Sequence, residues 1–462
     1  MQKDPGRWLL LAVSSASIFG PLNSSSLAVA LPALRREFDV GVGAATILVS
    51  GYLIAVAVCQ PAAGRLGDAF GHVRVIKIGL LVLLAFSVAC AFAWNFPVLV
   101  ALRALQGVSA ALIMPNATAY LRRNVEPARL AGQLGFNGAV IGAGAALGPP
   151  LGGLLLTFGD WRWLFAINVP LALLSYAFVL RLPADKGAGR SALQIDAVSL
   201  GALLAWFTGI TLVGTSLRLG IPVLTAAAFA LFAAGTAVYG VRYARTGRGV
   251  VDLRLFTNRN FATMAAGTAL ANLVMYTTLI AMPIYLRDSE GRGDGFIGFA
   301  LFSMSAAMVV ISLFGGRLAD RYGSRPVLST GTACLALSAT GIAFAVGETP
   351  VGPLIALLAL GGLGIGLLGA PQTAVALSSV SREVAGAASG TFSMMRYVGS
   401  VAGAAIIASV LGGQASRGEF HALFAVLAVF ALVNMSTAFV VRPGAPAASS
   451  PPSLPEALAT RS

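Results

Sequence analysis

Fourteen apolar runs leave this 462-residue chain little material for anything else. They lie at about 8–31, 44–63, 75–94, 98–121, 131–157, 162–181, 197–217, 221–243, 261–286, 296–315, 327–346, 352–378, 385–412 and 420–441. Each approaches or exceeds the roughly 20 residues a helix needs to cross the hydrocarbon of a bilayer. At that depth a lipid-exposed segment must satisfy its own backbone hydrogen bonds. The expected fold is therefore an all-α polytopic membrane protein. Charged residues make up only 10% of the chain and apolar ones 57%. A soluble protein of that composition would expose large apolar patches. The first run follows Lys3 and Arg7, like a signal peptide, but it is longer than the usual apolar core of one. It is read as an uncleaved first helix.

The net charge of +14 invites a nucleic-acid reading. The basic residues instead fall between apolar runs, which excludes a binding stripe. With the N-terminus in the cytoplasm and sides alternating, 22 Lys and Arg residues lie inside and seven outside. That bias predicts an even number of spans, with both termini on the cytoplasmic side of the cell membrane. Arg103 and Arg396 fall inside runs. Cys59, Cys90 and Cys334 lie in apolar runs without a CxxC pair, so neither a disulfide framework nor a zinc site is expected. His72 and His421 are far apart, which argues against a histidine metal site. No Walker A, GxSxG or HExxH pattern occurs. The chain thus reads as a non-enzyme without cofactor or metal, driven by an ion gradient or by its substrate's own gradient.

Gly64-Arg65-Leu66-Gly67-Asp68-Ala69-Phe70-Gly71 recurs 252 residues later as Gly316-Arg317-Leu318-Ala319-Asp320-Arg321-Tyr322-Gly323. Each copy follows the second span of its half. Gly107 and Gly362, and Gly132 and Gly386, echo nearly the same offset. Spans 1–6 and 9–14 read as two parallel copies of a six-helix unit, an arrangement that places a substrate between the halves near the midplane. The expected divisions are 1–182, a linker with two extra spans at 183–257, a second bundle at 258–442, and a Pro/Ala/Ser-rich disordered tail at 443–462.

These features resemble the major facilitator superfamily, and within it the fourteen-helix drug:proton antiporters. The two Gly-rich copies are similar to the superfamily's loop between its second and third helices. Arg103-Ala104-Leu105-Gln106-Gly107 resembles its RxxQG motif. The stretch Gly144 to Gly153, with Gly148, Pro149, Pro150 and Gly152, resembles the antiporter signature of the fifth helix. Trp161 to Pro170 and Leu253 to Phe261 look like the lead-ins to the sixth and ninth helices. The resemblance implies export of a small amphipathic compound in exchange for protons, by a monomer in the lipid bilayer. It also shows departures. Asn23 stands in the Leu22–Pro32 motif where many members have an aspartate that can bind a cation or proton. Ala69 and His72 stand where basic residues are usual.

Each candidate residue has a structural reading beside the functional one. Asp68 and Asp320 can cap the next helix, or latch the cytoplasmic side by pairing with an arginine of the opposite half, together with Gly64, Gly71, Arg74 and Arg321. Arg103, with Gln106 one turn away, can snorkel to the outer surface or face a wet cavity in proton coupling or substrate contact. Arg396, about 16 Å deep at 1.5 Å per residue, can bond helix carbonyls or face the cavity. Asn116, Asn137, Asn272 and Gln372 can bind ligand or hold helices together. Gly144, Gly148, Pro149, Gly152 and Gly153 can gate the outer side or simply pack tightly. No acid falls securely inside a span, so the cavity is expected to be net positive and to suit neutral, zwitterionic or anionic substrates. An importing or facilitative porter shares this fold, and a non-transporting receptor is the reading from another class.

Overall fold

The computed structural model describes residues 5–125, 127–185, 187, 189, 196–247, 249–347, 351–380, 385–412 and 415–440. The tail at 443–462 lies outside them. Among the described residues there are no strands, and fourteen helical spans are long and apolar enough to cross a membrane.

The first half holds α1 (Pro5–Ser17), α2 (Phe19–Glu37), α3 (Val42–Phe70), α4 (His72–Ala91), α5 (Phe96–Asn124), α6 (Pro127–Phe158), α7 (Trp163–Ala166) and α8 (Asn168–Leu180). Then come α9 (Ala197–Leu219) and α10 (Pro222–Thr246). The second half holds α11 (Arg259–Asp288), α12 (Asp294–Tyr322), α13 (Ser324–Ala345), α14 (Val351–Ser378), α15 (Ala385–Val410) and α16 (Arg417–Val440). Several helices outrun their apolar sequences. α2 continues to Glu37 and α3 to Phe70, because polar residues at the bilayer edge carry on the helix.

Two spans are broken. The first divides at Ile18, ahead of Pro21, and the sixth at Ile167, ahead of Pro170. A proline has no N–H to donate to the carbonyl four residues back. Here those are the carbonyls of Ser17 and Ala166, the last residues of α1 and α7.

The halves repeat each other in space. α3 packs on α5, α4 on α5 and on α8, and α2 on α6. Their counterparts are α12 on α14, α13 on α14 and on α16, and α11 on α15. Between halves, α6 packs on α12, α3 on α15, and α2 on α11. The extra hairpin is not part of either bundle. α9 lies along the α3–α15 seam, and α10 packs on α9 and is largely exposed. Gly214 of α9 sits directly against the backbone of Ala405 in α15, an approach only a glycine permits.

Below, the inner end is the one carrying the turns at Gly71 and Gly323, and the outer end is opposite. Each turn is a single glycine, at φ +95° and +88°, joining two helices. Left-handed backbone of this kind suits glycine alone. The repeated motif therefore encodes one sharp corner twice.

Candidate functional site

The two halves meet at mid-depth through hydroxyls and a sulfur. Ser24 Oγ of α2 lies 3.3 Å from the Tyr276 hydroxyl of α11. These residues are 252 positions apart, the offset of the sequence repeat, so equivalent positions face each other across the pseudo-twofold axis. The Tyr397 hydroxyl of α15 points at Met114 Sδ of α5, 3.9 Å away, and also bonds Gln60 of α3. Tyr52 of α3 donates to the Gly20 carbonyl at 3.1 Å and is within electrostatic reach of Tyr276 and Tyr397. Arg396 stands beside Tyr276 and Tyr397, is exposed, and donates to Ser393 Oγ at 3.1 Å. Gly390, Ser393 and Arg396 share one face of α15, so this face carries an exposed charge deep inside an apolar helix. Of this layer, sequence reasoning singled out Arg396 alone. The tyrosines read as ordinary apolar residues of their runs, although the 252-residue spacing of Ser24 and Tyr276 was a usable signal.

Arg103 does not snorkel, and it touches that layer only through the Tyr52 ring. It is 1% exposed inside the first half. Its guanidinium donates to Gln106 Oε1 and, at 2.6 Å, to the Asn23 backbone carbonyl. It lies 4.2 Å over the Tyr52 ring and 5.9 Å from that of Phe165. Gln106 Nε2 donates to Ser87 Oγ at 2.7 Å, and Asn168 Nδ2 to Asn23 Oδ1 at 2.8 Å. The network ties α2, α4, α5 and α8 together, and its described members include no carboxylate. The ring faces supply the negative potential an acid would have given. Asn23 thus acts through its backbone oxygen and as an acceptor for Asn168. Arg103 Nε, Asn23 Nδ2 and Asn137 Oδ1 are buried without a protein partner.

At the inner end the structure departs from both readings of Asp68. The residue lies in the last turn of α3, not at the start of α4, so it caps nothing. Its carboxylate pairs with Arg123 of its own half, 2.7 Å away, rather than with the opposite half. The cap on α4 comes from Asp185, whose oxygens accept from the His72 and Val73 N–H groups at 2.7 and 3.0 Å. Nothing local to the motif announces Asp185, which lies over a hundred residues downstream in the polar linker. A Cβ on Gly71 would lie 2.5 Å from the Asp185 carbonyl oxygen, so the corner glycine also admits this strap. Gly64 has open space around it, Arg74 is exposed, and the Arg321 guanidinium lies 5.3 Å from the Tyr322 ring centre. The side chain of Asp320 lies outside the described residues.

At the outer end the small-residue stripe divides by function. A Cβ on Gly144 or Gly152 would meet the Ile18 or Ser26 carbonyl oxygen at 2.9 or 2.8 Å, and one on Gly148 would overlap the Ser25 side chain. These three pack α6 onto the first span of the same half. Gly153 alone faces the other half: a Cβ there would lie 2.8 Å from the Asp294 carbonyl and 3.1 Å from Gly298 Cα. A Cβ on Gly298 would in turn lie 3.0 Å from the Pro149 carbonyl. Arg35 of α2 joins Asp288 of α11 at 2.6 Å, and Gly43 of α3 abuts Ala408 of α15. The outer ends of the halves are therefore closed on one another. A depression of about 360 Å³ above the seal is lined by Ala33, Arg36, Glu37 and Asp294, among others.

Two pseudo-symmetric six-helix bundles, closed at one end around a polar mid-depth layer, define a membrane transporter of the alternating-access kind. The sequence profile of the Major Facilitator Superfamily matches residues 13–250 and 264–460, and the chain belongs to that family. It is 30% identical over 397 residues to the multidrug resistance protein Stp of Mycobacterium tuberculosis strain CDC 1551 / Oshkosh, covering 84% of this chain and 72% of that one. It is 28% identical over 417 residues to the tetracenomycin C resistance and export protein of Streptomyces glaucescens, covering 88% and 76%. Among solved structures, a D-xylose-proton symporter superposes with a TM-score of 0.67 at 13% identity, over 94% of this chain and 98% of that one.

Proposed function

We propose that the protein is a secondary exporter of small aromatic amphipathic compounds, neutral, zwitterionic or anionic, which it exchanges for protons across the cytoplasmic membrane. The observation that carries this reading is the charge of the mid-depth layer. Arg396 is exposed among Tyr276 and Tyr397, and every described carboxylate lies at a helix end or in a loop. In this reading, with the outer end closed, water and substrate come to the exposed Arg396 from the inner end. A guanidinium donates paired hydrogen bonds to carboxylate or phenolate oxygens, and tyrosines offer ring faces and hydroxyls to a flat ligand. A cation about 4 Å from Arg396 would be repelled by roughly 4 kcal/mol at an effective dielectric near 20. Stp and the tetracenomycin C protein, a resistance protein and an export protein by name, favour the outward direction over import. The basic inner loops support cytoplasmic termini. Asp68, paired here with Arg123 of its own half, serves the inner gate when that end closes, and Gly153, Gly298 and Pro149 serve the outer one.

The test is a resistance panel in an efflux-deficient host. Wild type protects against anionic or neutral aromatic compounds, and Arg396→Ala loses that protection while reaching the membrane in normal amount. Protection confined to lipophilic dications would overturn the proposal.

A further inference from the structure

His72 is the one motif residue that the transport reading leaves without a task, and its surroundings are unusual. The imidazole is 1% exposed, at the first turn of α4. Its Nδ1 lies 2.8 Å from Asn116 Oδ1. The Asn116 amide nitrogen donates to the Ala63 and Leu112 carbonyls at 2.9 and 2.7 Å, which fixes which amide atom faces the ring. Asn116 Oδ1 is therefore an acceptor, and Nδ1 must carry a hydrogen. The remaining nitrogen, Nε2, is buried without a hydrogen-bond partner and lies 3.6 Å from Asp68 Oδ1. Gly67 makes the geometry possible, since a Cβ there would overlap both Asn116 and the ring.

We infer that His72 Nε2 is a proton-binding site of the transport cycle, read out by Asp68. This rests on the proton-exchange reading above. A proton from inner-side water adds to the Nε2 lone pair, with the half-exposed Asp68 carboxylate beside it as the relay. Both ring nitrogens are then donors. Asp68 gains a second cation on its own half besides Arg123, and is held away from the opposite half. Proton binding thus favours the arrangement seen here, with the outer end closed. Proton loss leaves Asp68 on Arg123 alone and free to engage elsewhere. The groups facing the ring are Asp68 from α3, Asn116 from α5 and Asp185 from the linker. Asp185 faces the backbone N–H of His72, and behind these lie Arg123 and Tyr120 of α5. The only other histidine, His421, is exposed at the outer end of α16.

The test uses the full-length protein with 15N-histidine in lipid nanodiscs, the His72 signals being assigned by a His421→Gln variant. At high pH the spectrum should show the Nδ1–H tautomer. As the pH is lowered, a signal with both ring nitrogens protonated should appear, and at any given pH it should be weaker in Asp68→Asn than in wild type. An Nε2–H tautomer, or a protonated fraction indifferent to Asp68→Asn, would overturn the site. Neither result depends on transport, so each leaves the exporter reading standing. The consequence for the cycle is read by thiol labelling of Gly390→Cys, a position with open space around it on the Arg396 face, in everted vesicles with the three native cysteines replaced. Labelling should be about threefold or more faster with His72 than with His72→Gln at pH 6.5, and equal at pH 8.5. Equal rates at both values would contradict the coupling.

Discussion

Gly153→Leu should hold the outer gate open. In the closed arrangement a Cβ on Gly153 stands 2.8 Å from the Asp294 carbonyl oxygen and 3.1 Å from Gly298 Cα. Comfortable carbon contacts begin near 3.5 Å, and both obstacles are backbone. Neither can swing aside, so α6 and α12 must part by at least several tenths of an ångström, and further for the rest of the leucine. Overpacking of this order costs about 1–3 kcal/mol. The cost falls on the closed state alone, because the contact exists only there. The equilibrium should therefore move toward the outer-open state by about 5- to 150-fold. Intact cells carrying Ser24→Cys, in the mid-depth layer beneath the seal, in a background without native cysteines, report this through an impermeant maleimide. Labelling should accelerate and transport should fall. Gly148→Leu is the control: its overlap is with Ser25 in the same half, so it should lower folded yield without raising labelling. Unchanged labelling and full transport by Gly153→Leu would refute the assignment of the seal.

Asp68→Asn should reach the membrane and melt within about 1 kcal/mol of wild type, since its pair with Arg123 is half-exposed and worth little to stability; transport should drop sharply, and normal transport would remove Asp68 from the inner gate. Asp185→Ala strips two N–H acceptors from α4 and should cost about 1 kcal/mol in thermal denaturation, a loss that Asp185→Asn partly restores. Arg103→Met should leave Gln106 Oε1 without its donor, remove the guanidinium's bond to the Asn23 carbonyl, and lower thermal stability by about 1–3 kcal/mol, whereas a melt equal to wild type would show the network to be dispensable. The Asp196 carboxyl is held below the ordinary range mainly by the Ser199 hydroxyl, with Arg242 assisting against the effect of burial. A depressed carboxyl stabilises the fold above its unfolded value, near 4, and loses that contribution as pH falls through the folded one. Ser199→Ala should therefore shrink the decline in melting temperature across that acidic window.

The apolar runs announced the spans, and the 252-residue repeat announced the two bundles, because both are written along the chain. The ends were less legible: α2 and α3 run past their apolar stretches, and Pro21 and Pro170 break spans that hydropathy joins. The stripe from Gly144 to Gly153 showed that α6 packs closely. It could not show that Gly148 meets its own half and Gly153 the other, since that depends on which way each residue faces around the helix. Arg103 looked like a residue in search of water. Beside Gln106, the neighbour one turn away that the sequence did point to, its ligands are a carbonyl 80 residues away and two aromatic rings, none of them marked by charge. Asp185 and the Ser24–Tyr276 contact escaped local pattern reading for the same reason, being made by residues more than a hundred positions apart.

The central claim, proton-driven export of non-cationic aromatic compounds, is tested most directly in everted vesicles loaded with the protein. An inside-acid pH gradient should drive accumulation of a fluorescent anionic or neutral aromatic probe. A protonophore should collapse that accumulation, and Arg396→Ala should abolish it. Accumulation that ignores the pH gradient, or that occurs only for dicationic probes, would contradict the account.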